Sequence, residues 1–356
     1  MRWPLILPWG VALVMGAALW QAPALGAGIL GVSTVALVAA VVGAVHHAEV
    51  IAQRLGEPYG TLVLAMAITV IEVALVLALM LAGGVDSASL PRDTIFAAVM
   101  IICNGVVGVC LLIGGIRHRE QSFRIEGTGS GLAALAALSG LVLVTPALTI
   151  SSPGGTYTNS QLVFVALSSL SLWLVFVFIQ TIRHRDYFLP EAAPSDESVH
   201  ARPASSAQAW VSFGLLVLSL VSVVVLAKLM SPALERLVLK LEAPKSAVGI
   251  LIALIVLMPE TWAAIRAARA NRLQTSMNLA IGSALASIGL TIPVVVGAAV
   301  LWDLPLELGL VPKDIALLTL TFIVGSITLA SGRTNLMQGA VHLVLFAAFL
   351  FLTLVP

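Results

Sequence analysis

Residues 60–81, GTLVLAMAITVIEVALVLALML, form an apolar run with a single acidic side chain, Glu72, near its middle. The hydrocarbon core of a bilayer is about 30 Å thick, and a helix of about 20 apolar residues crosses it. A charged side chain at the bilayer centre costs about 3 kcal/mol or more, so an acid there is expected to serve a function. The run therefore predicts a membrane-spanning helix built around a functional glutamate.

A second run of the same kind lies in the other half of the chain. Residues 248–267, VGILIALIVLMPETWAAIRA, carry Glu260 at a similar depth, directly after Pro259. Proline has no backbone N–H, so it frees a carbonyl oxygen close to this acid. A single buried acid could be kept neutral and hydrogen-bonded for structural reasons alone. Two acids in mirrored positions favour a functional pair.

The composition sets the class of protein. Of 356 residues, 60% are hydrophobic and 10% are charged, whereas soluble domains are about a quarter charged. This excludes a water-soluble protein and predicts a polytopic helical membrane protein. The net charge of +1 gives no indication of a nucleic-acid partner. Cys103 and Cys110 are predicted to be small packing residues, because no Cys/His spacing indicates a metal or redox centre.

The apolar segments give a helix count. Eleven can be recognised: 4–20, 28–46, 60–82, 94–116, 128–148, 160–182, 209–230, 246–267, 274–301, 313–331 and 335–355. The first resembles a signal peptide, since Arg2 precedes a short apolar core and Ala22-Pro23-Ala24 follows it. We favour a retained helix, and the alternative stays open.

One long polar connection divides the chain. Residues 183–208 are rich in proline, serine and acidic residues, which is typical of a flexible linker. We therefore expect an all-α polytopic membrane protein with an N-terminal transmembrane helix (1–27), a five-helix repeat containing Glu72 (28–182), a cytoplasmic linker (183–208) and a second five-helix repeat containing Glu260 (209–356). Five is an odd number, so the repeats insert in opposite orientations. Inverted repeats around a midplane site are typical of transporters.

The basic residues predict the orientation. With the N-terminus inside, twelve arginines fall in cytoplasmic loops: Arg2, Arg54, Arg117, Arg119, Arg124, Arg183, Arg185, Arg202, Arg266, Arg269, Arg272 and Arg333. Six basic residues fall outside: Arg92, Lys228, Arg236, Lys240, Lys245 and Lys313. This inward excess predicts a cytoplasmic N-terminus and an external C-terminus.

Neutral oxygen ligands are available near both acids. Thr69 shares a helix face with Glu72, Asn104 follows in the glycine-rich run ICNGVVGVCLLIGG, and Ser283 lies in NLAIGSALASIGLTIP, on a face with Ser276, Ser287 and Thr291. Carboxylate, amide and hydroxyl oxygens together suit a hard cation. The alternative is that these small and polar residues only help helices to pack. The predicted cation- and proton-binding residues are Glu72, Glu260, Thr69, Asn104 and Ser283, with Glu72 and Glu260 as the metal ligands.

A further polar group ends the second segment. The stretch VHHAEVIAQRLG contains His46, His47 and Glu49. Histidine titrates near neutral pH, so these residues are candidates for a proton path or gate. Polar residues at a helix end are an equally simple interpretation. The spacing is not H-E-x-x-H, which excludes a zinc hydrolase of that type.

Two of these stretches resemble a known family. GEPYGTLVLAMAITVIEVAL and MPETWAAIRAARANRLQTSMNLAIGSALASIGLTIP are similar to the two alpha-repeats of the cation/calcium exchanger superfamily. The resemblance is closest to its calcium–proton exchanger branch and to the bacterial ChaA-type sodium(potassium)/calcium–proton antiporters. It implies that Glu72 and Glu260 are the central cation and proton ligands, and Glu49 stands where the family often has an acid.

The chain also departs from this pattern. Thr69 and Leu257 stand where the exchangers commonly have asparagine, and Ala286 stands where a polar residue is expected. Fewer neutral ligands weaken the expectation of strict calcium selectivity.

The expected function is secondary active antiport at the bacterial cytoplasmic (inner) membrane. Calcium, sodium or both, with potassium as a further candidate, would leave the cell as protons enter. Partners would be inorganic cations, protons and lipid, with no cofactor and no nucleic acid; a homo-oligomer stays open. A cation channel or uniporter without proton coupling is the main alternative. An enzyme is disfavoured, because the sequence places no nucleophile–base pair or metal-ligand set at membrane depth.

Overall fold

The computed structural model describes residues 3–21, 27–55, 59–83, 87–189, 205–240, 244 and 246–355. These ranges contain thirteen α-helices: α1 (Trp3–Gln21), α2 (Ala27–Leu55), α3 (Tyr59–Gly83), α4 (Leu90–Met100), α5 (Val107–His118), α6 (Ile125–Ser139), α7 (Thr145–Leu148), α8 (Asn159–Phe178), α9 (Ser206–Lys240), α10 (Ser246–Arg269), α11 (Leu273–Trp302), α12 (Pro312–Ala330) and α13 (Leu336–Leu354). Two short strands, β1 (Gln121–Ser122) and β2 (Arg333–Thr334), pair antiparallel.

The helices confirm the predicted all-α membrane class. Within the described residues, eight helical spans are long and apolar enough to cross a bilayer, and a ninth is formed if the two bent halves of α10 count as one. Shorter apolar helices cover Pro4–Trp20 and Ala65–Leu81. The prediction of about eleven spans thus corresponds to these helices, although length and composition alone do not fix the count. Most of the predicted linker, residues 190–204, lies outside the described residues.

Three of the spans contain a π-helical segment. Residues Ile101–Val106 join α4 to α5, residues Gly140–Val144 join α6 to α7, and residues Ile179–Arg183 extend α8. A π-helical turn accommodates an extra residue and redirects the side chains beyond it, and such turns are frequent at functional sites. Asn104 lies inside the first of them.

Buried apolar residues form two hydrophobic clusters. Among the described residues, one cluster joins α1, α2 and α9 and includes Leu90 at the start of α4, and the other joins α4, α5, α6 and α8 with α11 to α13. Helices α3 and α10 contribute to both: Ile71 and Val256 belong to the first cluster, and Val76 and Leu257 belong to the second. The two helices that carry the predicted glutamates therefore lie along the boundary between the clusters.

Helix α10 is bent by 52° between Gly249–Met258 and Glu260–Arg269. The break coincides with position 259, a proline, which cannot donate a backbone hydrogen bond to the carbonyl of residue 255. Helix α10 packs against α4 and α11, while α3 packs against α11. Each glutamate helix thus contacts a helix of the other half of the chain.

Glycines allow α13 to approach α5 closely. A Cβ atom built on Gly339 would lie 2.5 Å from the backbone nitrogen of Leu112, and one built on Gly108 would lie 3.0 Å from the side chain of Leu343. No larger residue fits these positions without a shift of the helices, because packed interiors leave little free volume. The contact fixes the last helix against the helix that follows Asn104.

An extended segment, residues 304–311, crosses the end of the bundle where α4 begins. Its backbone N–H groups at Glu307, Gly309 and Leu310 donate to the carbonyls of Ala88, Gly155 and Leu143 at 3.0, 2.8 and 2.9 Å. Arg92 of α4 forms ion pairs with Asp93 and Glu307 and donates to the carbonyl of Gly309 at 3.0 Å. These contacts link the loops that precede α4, α8 and α12 at this end of the bundle.

Candidate cation-binding site

Glu72 and Glu260 are both buried in the bundle. Their exposed fractions are 3% and 8%. They lie on α3 and α10, the two helices whose apolar side chains belong to both hydrophobic clusters. Removal from water disfavours the ionised form of a carboxyl group unless hydrogen bonds or a cation compensate.

Two serines of α11 supply such hydrogen bonds. The hydroxyl of Ser287 donates to Oε1 of Glu72 at 2.6 Å, and the hydroxyl of Ser283 donates to Oε1 of Glu260 at 2.9 Å. Residues four apart on a helix project from the same face, one turn from each other. Helix α11 therefore joins the two glutamates, and their carboxyl groups also interact electrostatically. The structure brings Glu72, Glu260 and Ser283 of the predicted site together.

One carboxylate oxygen of Glu260 has no hydrogen-bond partner among the described residues. This oxygen, Oε2, is buried. An unpaired buried oxygen costs free energy, and a proton or a cation would satisfy it. The described part of the chain contains no group of three His, Cys, Asp or Glu side chains placed to hold a metal. Further ligands to a cation here would be hydroxyl, carbonyl or water oxygens.

Thr69 and Leu257 lie on the two glutamate helices and are equally buried. The exposed fraction of Thr69 is 3%, and its hydroxyl donates to the carbonyl of Ala65 at 2.9 Å. A hydroxyl that donates in this way keeps lone pairs for a cation. On α10, the hydroxyl of Thr261 donates to the carbonyl of Leu257 at 2.7 Å, so this carbonyl already has one partner.

Asn104 belongs to a different polar network. Its Nδ2 donates to Thr321 Oγ1 at 2.8 Å, and its Oδ1 lies 3.2 Å from Nδ1 of His342. The other ring nitrogen, Nε2, lies 3.1 Å from Thr328 Oγ1. A neutral imidazole with its hydrogen on Nδ1 satisfies every member of this set. Apart from a contact of 3.8 Å from Nδ2 to Met100 Sδ in α4, the hydrogen bonds described for Asn104 run to α12 and α13, and none runs to a glutamate.

His46, His47 and Glu49 lie inside α2, which continues to Leu55 rather than ending at this polar group. His47 contacts two further helices. Its Nε2 lies 3.0 Å from the carbonyl of Pro4 in α1, and its Nδ1 lies 3.4 Å from Ser212 Oγ in α9. His46 packs edge-on against it, with ring centroids 5.4 Å apart. Glu49 is half-buried two residues further on. No hydrogen bond described for His47 reaches Glu72 or Glu260, so the proton-path role of this group stays a prediction.

Two polar residues outside the predicted site, Ser287 and His342, have hydrogen-bond partners within it. Ser287 was grouped with Ser283 on one helix face, and the i, i+4 spacing of these hydroxyls is the signal that could have assigned it to Glu72. His342 is buried against Asn104. A lone histidine in a predicted membrane helix is a signal for a buried polar partner, but the sequence does not identify that partner.

Two bacterial proteins are similar to this chain over most of its length. The chain is 47% identical to the protein y4hA of Sinorhizobium fredii over 321 residues, which cover 90% of this chain and 87% of the relative. It is 37% identical to the sodium-potassium/proton antiporter ChaA of Escherichia coli over 310 residues, which cover 86% of this chain and 83% of the relative.

A solved structure has the same fold. The Ca²⁺/H⁺ antiporter YfkE superposes with a TM-score of 0.72 at 16% identity, and the match covers 100% of both chains. At this identity the likeness concerns the fold alone. The sequence model of the "sodium/calcium exchanger protein" family matches residues 25–182 and 211–355, which carry Glu72 and Glu260. The chain therefore belongs to the sodium/calcium exchanger family of transporters.

Proposed function

We propose that the chain is a secondary active antiporter that exports calcium, sodium or potassium in exchange for protons. Glu72 and Glu260 hold the cation and the protons alternately. The observation that carries the proposal is the junction on α11, where adjacent turns hydrogen-bond the two buried carboxyl groups. The antiporters named among its relatives support the same class of function.

Competition for the carboxyl groups produces the exchange. In the absence of a metal cation, burial favours the protonated form of both glutamates. A cation favours the ionised form, because the carboxylate oxygens then serve as ligands. The hydroxyls of Ser283 and Ser287 stabilise that ionised form by donating to it. The pair therefore binds cation or protons, and binding of one expels the other.

The range of cations follows from the neutral ligands. Calcium takes 6–8 oxygen ligands, and each one missing must be replaced by water or backbone. Leu257 offers no side-chain oxygen, and the Asn104 amide is engaged with Thr321 and His342. A monovalent ion is less demanding because its single charge is easier to dehydrate. We therefore propose that the site accepts sodium or potassium beside calcium.

The proposed location is the bacterial cytoplasmic membrane, with the N-terminus inside and residues 183–208 as the cytoplasmic linker between two inverted repeats. The excess of arginine in the loops assigned to the inside supports this orientation. In it, α3 and α10 carry their glutamates through the membrane in opposite directions. Inverted helices around a midplane site allow the site to open to either side in turn.

Transport by the purified protein in liposomes tests the proposal. The vesicles contain a pH-sensitive dye, and calcium, sodium or potassium is added outside. Antiport predicts an immediate alkaline shift inside, because protons leave the lumen as the added cation enters. The shift persists when valinomycin and potassium clamp the membrane potential in the calcium and sodium assays. A channel or uniporter would instead carry cations without obligatory proton movement, and that result would refute the proposed coupling.

A further inference from the structure

The chain folds back onto the helix bundle directly after α8 and its π-helical extension. A short 3₁₀ helix, Arg185–Tyr187, leads into Phe188. The ring of Phe188 is 8% exposed and packs edge-on against Phe176 of α8, with centroids 5.7 Å apart. Residues 184–188 are called the docked segment below. They begin the predicted linker, and the buried ring fixes them to the bundle.

Two amide side chains of α11, Gln274 and Asn278, hold the docked segment; they are called the amide pair. Nδ2 of Asn278 donates to the carbonyl of Phe188 at 2.5 Å. Nε2 of Gln274 donates to Oδ1 of Asn278 at 2.9 Å and lies 3.5 Å from the carbonyl of Tyr187. The backbone N–H of Arg124, directly before α6, donates to Oε1 of Gln274 at 2.6 Å. The amide pair therefore ties α11 to the docked segment and to the start of α6.

Helix α6 approaches the docked segment too closely for a side chain at position 127. A Cβ atom built on Gly127, which is buried, would lie 2.5 Å from the carbonyl oxygen of Tyr187. The obstacle is backbone, so no side-chain rotation relieves it. Two residues further along α6, a Cβ atom on Gly129 meets a single described atom within 4 Å, Cγ2 of Ile125 at 3.9 Å. The close contact is thus specific to position 127.

The amide pair projects from the face of α11 that is opposite to Ser283 and Ser287, as the spacing of these positions at 100° per residue requires. Gly289 falls on the same face as the amide pair, and a Cβ atom there would lie 2.5 Å from Cβ of Trp173 in α8. Helix α11 is therefore held on one face by the docked segment, α6 and α8. Its other face presents the two serines to the glutamates.

We propose that Gln274 and Asn278 are positioning residues for cation–proton exchange: they hold α11 where Ser283 and Ser287 reach the two glutamates. The inference rests on the proposed antiport. Neither amide donates to a glutamate in the hydrogen bonds described, so the pair acts through the serines. If α11 is loosened, both serine hydrogen bonds weaken. Because these bonds favour the ionised carboxylates, protons then compete more effectively with the cation.

Asn278→Leu and Gly127→Ala test the proposal from the two sides of the contact. The first removes the hydrogen bond to the docked segment at similar side-chain size, and the second displaces the carbonyl of Tyr187. Each should raise the half-saturating cation concentration for proton flux in liposomes about threefold or more, and most at acid pH, since substitutions between coupled sites change their coupling by this amount. Gly129→Ala is the matched control and should behave as the wild type. A lower maximal rate in both variants, with an unchanged half-saturating concentration and pH dependence, would show a purely structural role and overturn the proposal.

A double-mutant cycle identifies the route of the effect. If the amide pair acts through the serines, Asn278→Leu should raise the half-saturating concentration less in a Ser287→Ala background than in the wild type, because the two substitutions then share one cause. Fully additive effects would show that the amide pair does not act through Ser287 and would overturn the proposed route.

Cation binding to the purified protein gives a readout that does not depend on proton coupling. A bound cation raises the midpoint of thermal unfolding in proportion to its affinity, and calcium and sodium serve as the probes in detergent. Asn278→Leu and Gly127→Ala should need more cation than Gly129→Ala for the same rise. A wild type that binds cation without moving protons would refute the antiport alone. Wild-type affinity in both variants, whose folding the same measurement verifies, would refute the positioning role alone.

Discussion

Ser287 of α11 donates a hydrogen bond of 2.6 Å to Glu72 of α3, although the two residues are 215 positions apart in the chain. One turn earlier on the same helix, Ser283 donates to Glu260 of α10. Among the described residues, both side-chain donors to the glutamates come from the second half of the chain. The two halves of the chain therefore contribute differently to the site, because the second half supplies the hydrogen-bond donors to both glutamates. Any displacement of α11 alters the surroundings of both carboxyl groups.

Glu72→Gln and Glu260→Gln should each abolish cation–proton exchange without unfolding the protein. Glutamine keeps the size and the hydrogen-bonding capacity of the side chain but cannot bind and release a proton. The measurement is cation-driven proton flux in liposomes, together with size-exclusion chromatography of the purified variants. Glu126→Gln, at an exposed position of α6, is the control and should transport normally. Normal exchange by Glu260→Gln would contradict the two-carboxylate mechanism.

Ser287→Ala should weaken cation binding, and most strongly on the acid side. The variant removes a hydrogen bond that stabilises the ionised Glu72, so protons compete more effectively with the cation as the pH falls. A hydrogen bond to a charged group contributes about 1.5–3 kcal/mol, so the half-saturating cation concentration should rise about tenfold or more. The measurement is the cation dependence of proton flux at several pH values.

Ser276→Ala is the matched control for this experiment. Ser276 is buried on the same helix, and neither glutamate accepts a hydrogen bond from it among the contacts described. Its half-saturating concentration should stay close to that of the wild type at every pH. If Ser276→Ala and Ser287→Ala had equal effects, the specific role of the Ser287 hydroxyl would be disproved.

Thr69→Asn combined with Leu257→Asn should shift the preference toward calcium. Both positions are buried on the glutamate helices, and an amide oxygen at each would add neutral ligands for a divalent ion. A tenfold shift requires only about 1.4 kcal/mol of differential binding. The measurement is the ratio of calcium-driven to sodium-driven proton flux. Leu257→Met, which preserves the apolar volume, should leave the ratio unchanged. An unchanged ratio in an active double variant would show that these positions do not contact the cation.

Arg92→Met should destabilise the protein. The side chains of Arg92 and Asp93 are 13% and 10% exposed, and removal of one partner leaves a largely buried charge, at a cost of roughly 3 kcal/mol. The measurement is the apparent midpoint of thermal unfolding in detergent, which should fall. Adding Asp93→Asn to Arg92→Met should recover part of the loss, whereas Arg117→Met, at an exposed site on α5, should have little effect. If the added Asp93→Asn recovered nothing, the ion pair would not be the cause.

Cysteine labelling should establish the orientation. On a background without Cys103 and Cys110, Ala207→Cys at the start of α9 should react with a membrane-impermeant maleimide only from the cytoplasm. Ser151→Cys, in the connection after α7, should react only from outside. Both positions are exposed. Labelling of Ala207→Cys from the external side would reverse the orientation proposed from the arginine distribution.

Much of the fold could be predicted because membrane helices leave strong sequence signals. About 20 consecutive apolar residues predict a span, and an acid within such a span, as at Glu72 and Glu260, predicts its functional centre. Helical periodicity placed Ser283 and Ser287 on one face of α11. These inferences depend on local spacing along one helix, which the sequence states directly.

The partners of the polar residues could not be predicted in the same way. The amide oxygen of Asn104, in the glycine-rich run after the Glu72 helix, predicts a cation ligand, and this role stays a prediction. The sequence does not indicate that its side chain meets His342 and Thr321, which are 238 and 217 positions away. The π-helical segment Ile101–Val106 alters the direction of side chains along this span. Periodicity assumes a regular α-helix, so it gives no information on where a residue within such a segment points.

The boundary between the two hydrophobic clusters has a mechanical consequence. It follows α3 and α10, whose apolar side chains belong to both clusters, and it contains the two glutamates. Backbone hydrogen bonds within each helix remain intact if one cluster slides past the other, because only side-chain contacts are exchanged. Such shear motions between packed helices occur on microsecond to millisecond timescales. In the proposed mechanism the cation binds at this same boundary, so we expect its binding to change how easily the two clusters move past each other.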